Sequence, residues 1–79
     1  MNTLKDLAEL KDSWDGNGAL AFSKTLIDRV QNEIDKLSVP YELFPTYRQS
    51  IQIEYHIDGC YYEMEIFENG NIEYYLDAD

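Results

Sequence analysis

The chain has 79 residues, with sixteen acidic and six basic side chains, so its formal net charge is −10. This length predicts one domain with a modest core over residues 1–79. The hydrophobic fraction of 44% is too high for a disordered chain, and a single cysteine excludes an internal disulfide and a cysteine-based zinc site.

Charge and hydropathy also narrow the compartment and the kinds of partner. The sequence shows no basic-then-apolar leader and no apolar run of membrane-spanning length, so we expect a cytoplasmic protein that does not enter a membrane. The acidic excess argues against direct binding to nucleic acid or anionic lipid, because phosphate contacts need Lys and Arg.

The N-terminal half predicts two helices. Thr3, with Asp6 three residues later, is typical of a capping box and begins a helix over about residues 3–12. Ser23 is the candidate N-cap of a second helix over about residues 24–37. That helix has apolar residues at helical spacing: Leu26, Ile27, Val30, Ile34 and Leu37.

The C-terminal part predicts three strands, over about residues 50–57, 60–67 and 71–77. Before them, Pro40 and Pro45 bracket a segment that we expect to be an irregular linker. From Ser50 onwards apolar and polar residues alternate with a period of two. Asp58-Gly59 predicts a two-residue turn, and a three-residue loop ending at a left-handed Gly70 predicts the second hairpin.

These elements predict an α+β fold in which two helices pack on one face of a three-stranded antiparallel meander, in the order ααβββ. The two turns fix the pairing between strands. Counting from them sets Ile53 opposite Met64 on the apolar face, which supports the assignment because a slip of one residue would exchange the faces.

The other face of this sheet is acidic and rich in tyrosine. Residues 49–79 hold eight of the sixteen acidic residues, five of the seven tyrosines and no Lys or Arg. The counted register sets Glu54 opposite Glu63 and Glu65 opposite Glu73, and like charges so placed repel each other. Such a surface is typical of a face that binds a basic partner, although a merely solvated face is the alternative. The predicted partner-binding residues are Glu54, Glu63, Glu65, Glu73, Asp77, Tyr61, Tyr75 and Phe67.

Catalysis and metal binding find no support in the sequence pattern. Strand parity places Cys60 and His56 on opposite faces, so they do not form a nucleophile–base pair. The opposed glutamates lack a cleft that would exclude water. Residues 13–18 resemble the start of a calcium loop, but Lys24 stands where the twelfth-position Glu is needed. We therefore expect no enzyme activity, no metal site and no cofactor.

The segment Trp14–Ala19 reads Trp-Asp-Gly-Asn-Gly-Ala and predicts a loop. Placed between two helices and ahead of a meander, it resembles a Trp-Asp-Gly-x-Gly-Ala pattern of small bacterial and phage proteins of unknown function. That family usually has a Pro-rich stretch after the Ala, whereas this chain has Leu-Ala-Phe at residues 20–22. The resemblance implies the fold alone. We expect Trp14 to fill the gap between helices and sheet, with positive φ angles at Gly16 and Gly18.

Together these patterns favour a small inhibitor that binds another protein. We expect its acidic face to mimic DNA and to block a basic, nucleic-acid-binding protein, as a phage anti-defence protein of the anti-CRISPR or anti-restriction type would in the host cytoplasm. An antitoxin or immunity protein that neutralises a basic toxin is an alternative. A structural module is another, in which an otherwise monomeric chain forms a weak dimer through the edge strand Ile72–Leu76.

Overall fold

The computed structural model describes residues 3–78, with the side chains of residues 3–76, and contains two helices followed by four strands. Neighbouring strands are antiparallel, in the order β1-β2-β3-β4. The prediction of an α+β fold with an antiparallel meander is confirmed. Neither described helix has the length and apolar character needed to cross a membrane. The elements are α1 (Leu4–Ala8), α2 (Lys24–Ile34), β1 (Tyr41–Thr46), β2 (Ser50–Ile57), β3 (Cys60–Phe67) and β4 (Ile72–Ala78).

The prediction of three strands is wrong, because the segment between Pro40 and Pro45 belongs to β1 rather than to an irregular linker. Leu43 in this strand is only 2% exposed and pairs in register with Ile53 of β2. Pro45 is tolerated because β1 lies at an edge of the sheet, where a residue without an N–H need not interrupt a ladder. The order of elements is therefore ααββββ.

Both predicted helix starts are confirmed by their capping bonds. The hydroxyl of Thr3 accepts from the backbone N–H of Asp6 at 3.1 Å, and the Asp6 carboxylate accepts from the N–H of Thr3 at 3.3 Å. The hydroxyl of Ser23 accepts from the N–H of Leu26 at 3.0 Å. These bonds satisfy N–H groups that have no partner within their own helix.

Both helices end earlier than predicted, at Ala8 and at Ile34. Beyond each end the backbone tightens. The N–H of Leu10 donates to the carbonyl three residues back, and so do the N–H groups of Lys36 and Leu37. Bonds of this kind are typical of turns and 3₁₀ geometry. Apolar residues at helical spacing continue into these turns, which is why the sequence pattern predicts longer helices.

The predicted register of both hairpins is confirmed. The turn at Asp58-Gly59 aligns β2 with β3, and the loop that ends at Gly70 aligns β3 with β4. Gly70 has a φ of +91°, a conformation that favours glycine, and the N–H of Phe67 donates to the Asn71 carbonyl across the loop at 2.9 Å.

The helices cover one face of the sheet, which we call the inner face. It carries the odd-numbered residues of β1 and β2 and the even-numbered residues of β3 and β4. Helix α2 packs against β2 and β3. The buried core consists of Leu7, Phe22, Leu26, Val30, Ile34, Leu43, Ile51, Ile53, Met64 and Ile66.

The core predicts that alanine substitution at two leucines has very different effects on the free energy of unfolding. Leu26 is 0% exposed and Leu20 is 50% exposed. Leu26→Ala should lower the free energy of unfolding by about 2–5 kcal/mol, because it leaves a cavity. Leu20→Ala should change it by less than about 0.5 kcal/mol. Urea unfolding followed by circular dichroism measures both, and equal effects would contradict the described core.

Candidate protein-binding face

Three glutamates stand side by side on the outer face, the face of the sheet opposite the helices. Glu42 of β1 pairs with Glu54 of β2, which pairs with Glu63 of β3. We call these three residues the acidic row, and Tyr75 of β4 continues it. Adjacent strands lie about 4.8 Å apart, so the carboxylates recur at about that step. None of the three forms an ion pair with another described residue.

The phenol of Tyr61 lies against this row. Its hydroxyl donates to Glu63 Oε1 at 2.9 Å. Burial, the hydrogen bond to Glu63 and the nearby carboxylate of Glu54 raise the pKa of Tyr61 well above its usual value. The Tyr61 ring also meets His56 and Tyr75 edge-on, at centroid distances of 5.3 and 6.5 Å. Tyr61 therefore stays a proton donor within an aromatic ridge that borders the acidic row.

A shallow depression of about 170 Å³ opens beside the acidic row. It is lined by Glu42, Glu54, Tyr41, Tyr55, His56 and Pro40. One water molecule occupies about 30 Å³ in the liquid, so this depression has room for the end of one Lys or Arg side chain. Of the lining residues Glu42 and Glu54 belong to the outer face, and carboxylates are the groups with which such a cation forms its strongest hydrogen bonds.

The prediction that Glu65 belongs to the exposed acidic face is wrong, since Glu65 is only 6% exposed. Nη2 of Arg48 donates to its two carboxylate oxygens at 2.7 and 2.8 Å. The hydroxyl of Ser50 donates at 2.5 Å and the amide of Gln52 at 3.3 Å. The Glu65 carboxylate is therefore neutralised and hydrogen-bonded within the fold.

Arg48 reaches Glu65 from the turn between β1 and β2. This turn exists because β1 is a strand that pairs with β2. The predicted irregular linker over the same residues gives no reason to expect Arg48 near Glu65. The network continues from Ser50, which is 0% exposed, to the Thr46 hydroxyl at 2.5 Å. One signal was present in the sequence: Arg48 is the last basic residue and directly precedes the acidic strands.

The other predicted partner-binding residues occupy different positions on the outer face. Glu73 and Tyr75 of β4 are exposed, Tyr75 at 58%. Phe67 is half-buried at the end of β3. The backbone of Asp77 pairs with Tyr61, but the Asp77 side chain lies outside the described part of the chain.

Glu68 has a structural contact that the sequence pattern does not reveal. Its carboxylate accepts from the backbone N–H of Ser23 at 2.8 Å and from the Ser23 hydroxyl at 2.6 Å. Because Ser23 caps α2, this contact ties the β3–β4 loop to the start of that helix. A second acidic residue of the C-terminal segment is thus engaged inside the fold.

The described residues bring together neither a Cys–His pair nor a cluster of metal ligands. His56 and Cys60 belong to opposite faces, in agreement with strand parity. Among residues 3–76, no group of three or more His, Cys, Asp and Glu side chains is placed to hold a metal ion.

The loop Trp14–Ala19 is held by hydrogen bonds to Asp15. One carboxylate oxygen of Asp15 accepts from the N–H of Asn17 at 2.8 Å and from that of Ala19 at 3.0 Å. These two bonds lower the pKa of Asp15, because they favour its ionised form. The Asp15 carboxylate therefore holds the backbone of this loop in place.

Trp14 connects this loop to the core. Its indole N–H donates to the Leu20 carbonyl at 3.1 Å, and its ring lies 5.9 Å from that of Phe22. The predicted positive φ angles are present, +79° at Gly16 and +87° at Gly18. The motif thus forms a hydrogen-bonded loop, with Trp14 packed against the core.

No family model, curated protein or solved structure matches the chain. The resemblance of Trp14–Ala19 to the Trp-Asp-Gly-x-Gly-Ala proteins therefore stays a prediction.

The buried contacts of Glu65 predict a contrast with its cross-strand neighbour Glu73. Glu65→Ala should lower the free energy of unfolding by about 1–3 kcal/mol, because it leaves Ser50 and Arg48 without their acceptor. Glu73→Ala should change it by less than about 0.5 kcal/mol. The measurement is urea unfolding of both variants. Two equally small losses would show that the Arg48–Glu65 contact adds no stability.

The Asp15 contacts predict how the Trp14 loop responds to acid. Because the folded pKa is lowered from about 3.8, this stabilisation is complete above that pH and is lost as the pH falls through the folded pKa. NMR titration of the Asp15 carboxyl should give a lower pKa in the protein than in a peptide of residues 12–21. Equal values would mean that the two backbone bonds do not form in solution.

Proposed function

We propose that this protein is an inhibitor that binds a basic, nucleic-acid-binding protein through its outer face. The observation that carries the proposal is the acidic row, in which Glu42, Glu54 and Glu63 stand in register and form no ion pair with another described residue. Adjacent carboxylates repel each other by up to about 1 kcal/mol per pair, and a cationic partner relieves that repulsion.

The spacing of the row suits a groove that normally binds phosphates. A nucleic-acid strand carries one charge per about 3.4 Å of helix axis, and the row carries one per about 4.8 Å. Lys and Arg side chains are long and adaptable enough to follow either spacing. The row therefore presents about 0.7 of the charge density of one strand of a nucleic acid.

The tyrosines add contacts that charge alone does not supply. Tyr75 is exposed at the end of the row, and Tyr61 lies beside it with its hydroxyl bound to Glu63. Exposed Tyr75 and half-buried Tyr61 offer rings for stacking on Arg and apolar surface for a buried contact. The proposed binding surface comprises Glu42, Glu54, Glu63, Glu73, Tyr61 and Tyr75, with Asp77 and Phe67 at its border.

The kind of partner follows from this chemistry. A protein whose function depends on an open, basic nucleic-acid groove is blocked when carboxylates occupy the groove. Enzymes and complexes of bacterial defence, of the restriction or CRISPR type, are the targets that we propose. Attraction between opposite charges would also speed association at low salt.

A binding experiment tests the proposal with a charge-matched control. The variant Glu42→Gln, Glu54→Gln, Glu63→Gln removes three charges from the acidic row. The variant Glu9→Gln, Asp28→Asn, Asp35→Asn removes three charges from the helical side. Each tagged protein captures partners from a bacterial lysate at about 50 and about 200 mM salt. Captured proteins are then identified, and double-stranded DNA is added as a competitor.

We expect the wild type and the control to capture the same nucleic-acid-binding protein, and the acidic-row variant to lose it. Capture should weaken at the higher salt, and DNA should displace the protein from its partner. Equal loss in both variants would mean that net charge alone matters. A captured basic toxin that does not bind nucleic acid would contradict DNA mimicry and favour the antitoxin alternative.

A further inference from the structure

Strand β4 has an edge without a partner strand among the described residues. The N–H of Phe67 donates to the Asn71 carbonyl at the start of the β3–β4 ladder. Because hydrogen-bonded residues alternate along an antiparallel pair, the backbone N–H and C=O groups at positions 72, 74 and 76 are directed away from β3. This edge can accept another antiparallel strand.

The inner face of β4 is apolar and uncovered. Ile72, Tyr74 and Leu76 are 38%, 70% and 58% exposed, whereas the inner-face residues Ile53 and Ile66 of β2 and β3, against which α2 packs, are fully buried. Next to them the rings of Tyr55 and Tyr62 stack at 5.3 Å. A strand added at the edge would bring further inner-face residues against these side chains.

The edge also lacks Lys, Pro and a bulge, although it carries the acidic residues Glu73 and Asp77. Natural edge strands are commonly protected by Lys, Pro or a bulge. The other edge strand, β1, contains Pro45, whereas the segment Ile72–Ala78 has neither Lys nor Pro. Its pairing with β3 is regular from Ile72 to Ala78.

We propose that two copies of this chain associate through antiparallel pairing of their β4 strands, about a two-fold axis that passes by Tyr74. This proposal goes beyond the proposed function and does not depend on it. In this arrangement Ile72 pairs with Leu76 of the second copy, and the outward N–H and C=O groups of both strands bond to each other. The two apolar inner faces then form one continuous surface.

Charge selects this register over its two neighbours. An axis at residue 73 would set Glu73 opposite its own copy, and an axis at residue 75 would set Glu73 opposite Asp77. The axis at Tyr74 sets Glu73 opposite Tyr75 of the second copy, so a carboxylate faces a phenol. No acidic residue then lies directly opposite another, which avoids the repulsion of like-charged cross-strand pairs.

Salt separates this association from the binding of a basic partner. Each copy has a net charge of −10, so screening favours the dimer and weakens a contact between opposite charges. Sedimentation equilibrium should therefore show a mass that rises with salt towards about twice 9.3 kDa. A mass that stays monomeric at high salt and high protein concentration would overturn the proposal and leave the proposed function intact.

A matched pair of substitutions locates the interface. Tyr74→Lys should weaken the dimer by about tenfold or more, because two ammonium groups would lie opposite each other. It does so although it reduces the repulsive net charge. Tyr41→Lys, the same exchange on edge strand β1, should leave the dimer unchanged. An equal effect of both substitutions, with both variants folded by circular dichroism, would overturn the assignment to β4.

Disulfide trapping tests the register without relying on a destabilising variant. In a Cys60→Ser background, single cysteines replace Glu73, Tyr74 or Tyr75, and each protein is oxidised at high salt. A disulfide needs Cα atoms within about 7 Å, which the proposed axis provides best at residue 74. Fastest crosslinking at residue 73 or 75, or equal rates at all three, would contradict the proposed arrangement.

Discussion

The alignment of β2 with β3 and of β3 with β4 is the constraint on which the rest of the structure depends. Side chains alternate along a strand, so a slip of one residue would exchange the two faces. The turn at Asp58-Gly59 and the loop ending at Gly70 exclude that slip. The same alignment buries Ile53 and Met64 beneath the helices and sets Glu54 opposite Glu63. The Ile53–Met64 pair of the core and the Glu54–Glu63 pair of the acidic row are two results of one register.

The outer face then divides into two regions of different character. At Glu65, the guanidinium of Arg48 balances the charge of the buried carboxylate, and both Arg48 and Ser50 donate hydrogen bonds to it. Two residues along β3, Glu63 has a phenol as its hydrogen-bond donor and no described base. The net charge is therefore not equally available to a partner. The carboxylates of the acidic row form no ion pair with another described residue, whereas Glu65, near the β1–β2 turn, is paired with Arg48.

The parts that the sequence predicts are those fixed by local chemistry. Capping at Thr3 and Ser23, the turn at Asp58-Gly59 and the alternation of β2 to β4 all depend on residues close together in the chain. The sequence pattern does not predict β1 because Pro40, just before the strand, and Pro45, within it, are typical of breaks, whereas a strand at the edge of a sheet tolerates proline.

The remaining contacts depend on the tertiary fold. The burial of Glu65 requires Arg48, which the β1–β2 turn brings above the sheet. The contact between Glu68 and Ser23 joins groups 45 residues apart. Their residue types alone do not distinguish Glu65 and Glu68 from the glutamates of the acidic row, and only the folded chain separates the two sets.

The central claim is that the acidic row is the part of this surface that attracts cations. NMR titration of the isotope-labelled protein with an arginine-rich peptide tests it directly, because each backbone amide reports separately. We expect the largest shifts at Glu42, Glu54, Glu63 and the neighbouring Tyr61 and Tyr75, and we expect these shifts to diminish with salt. Shifts of equal size at the acidic residues of α2 would contradict it.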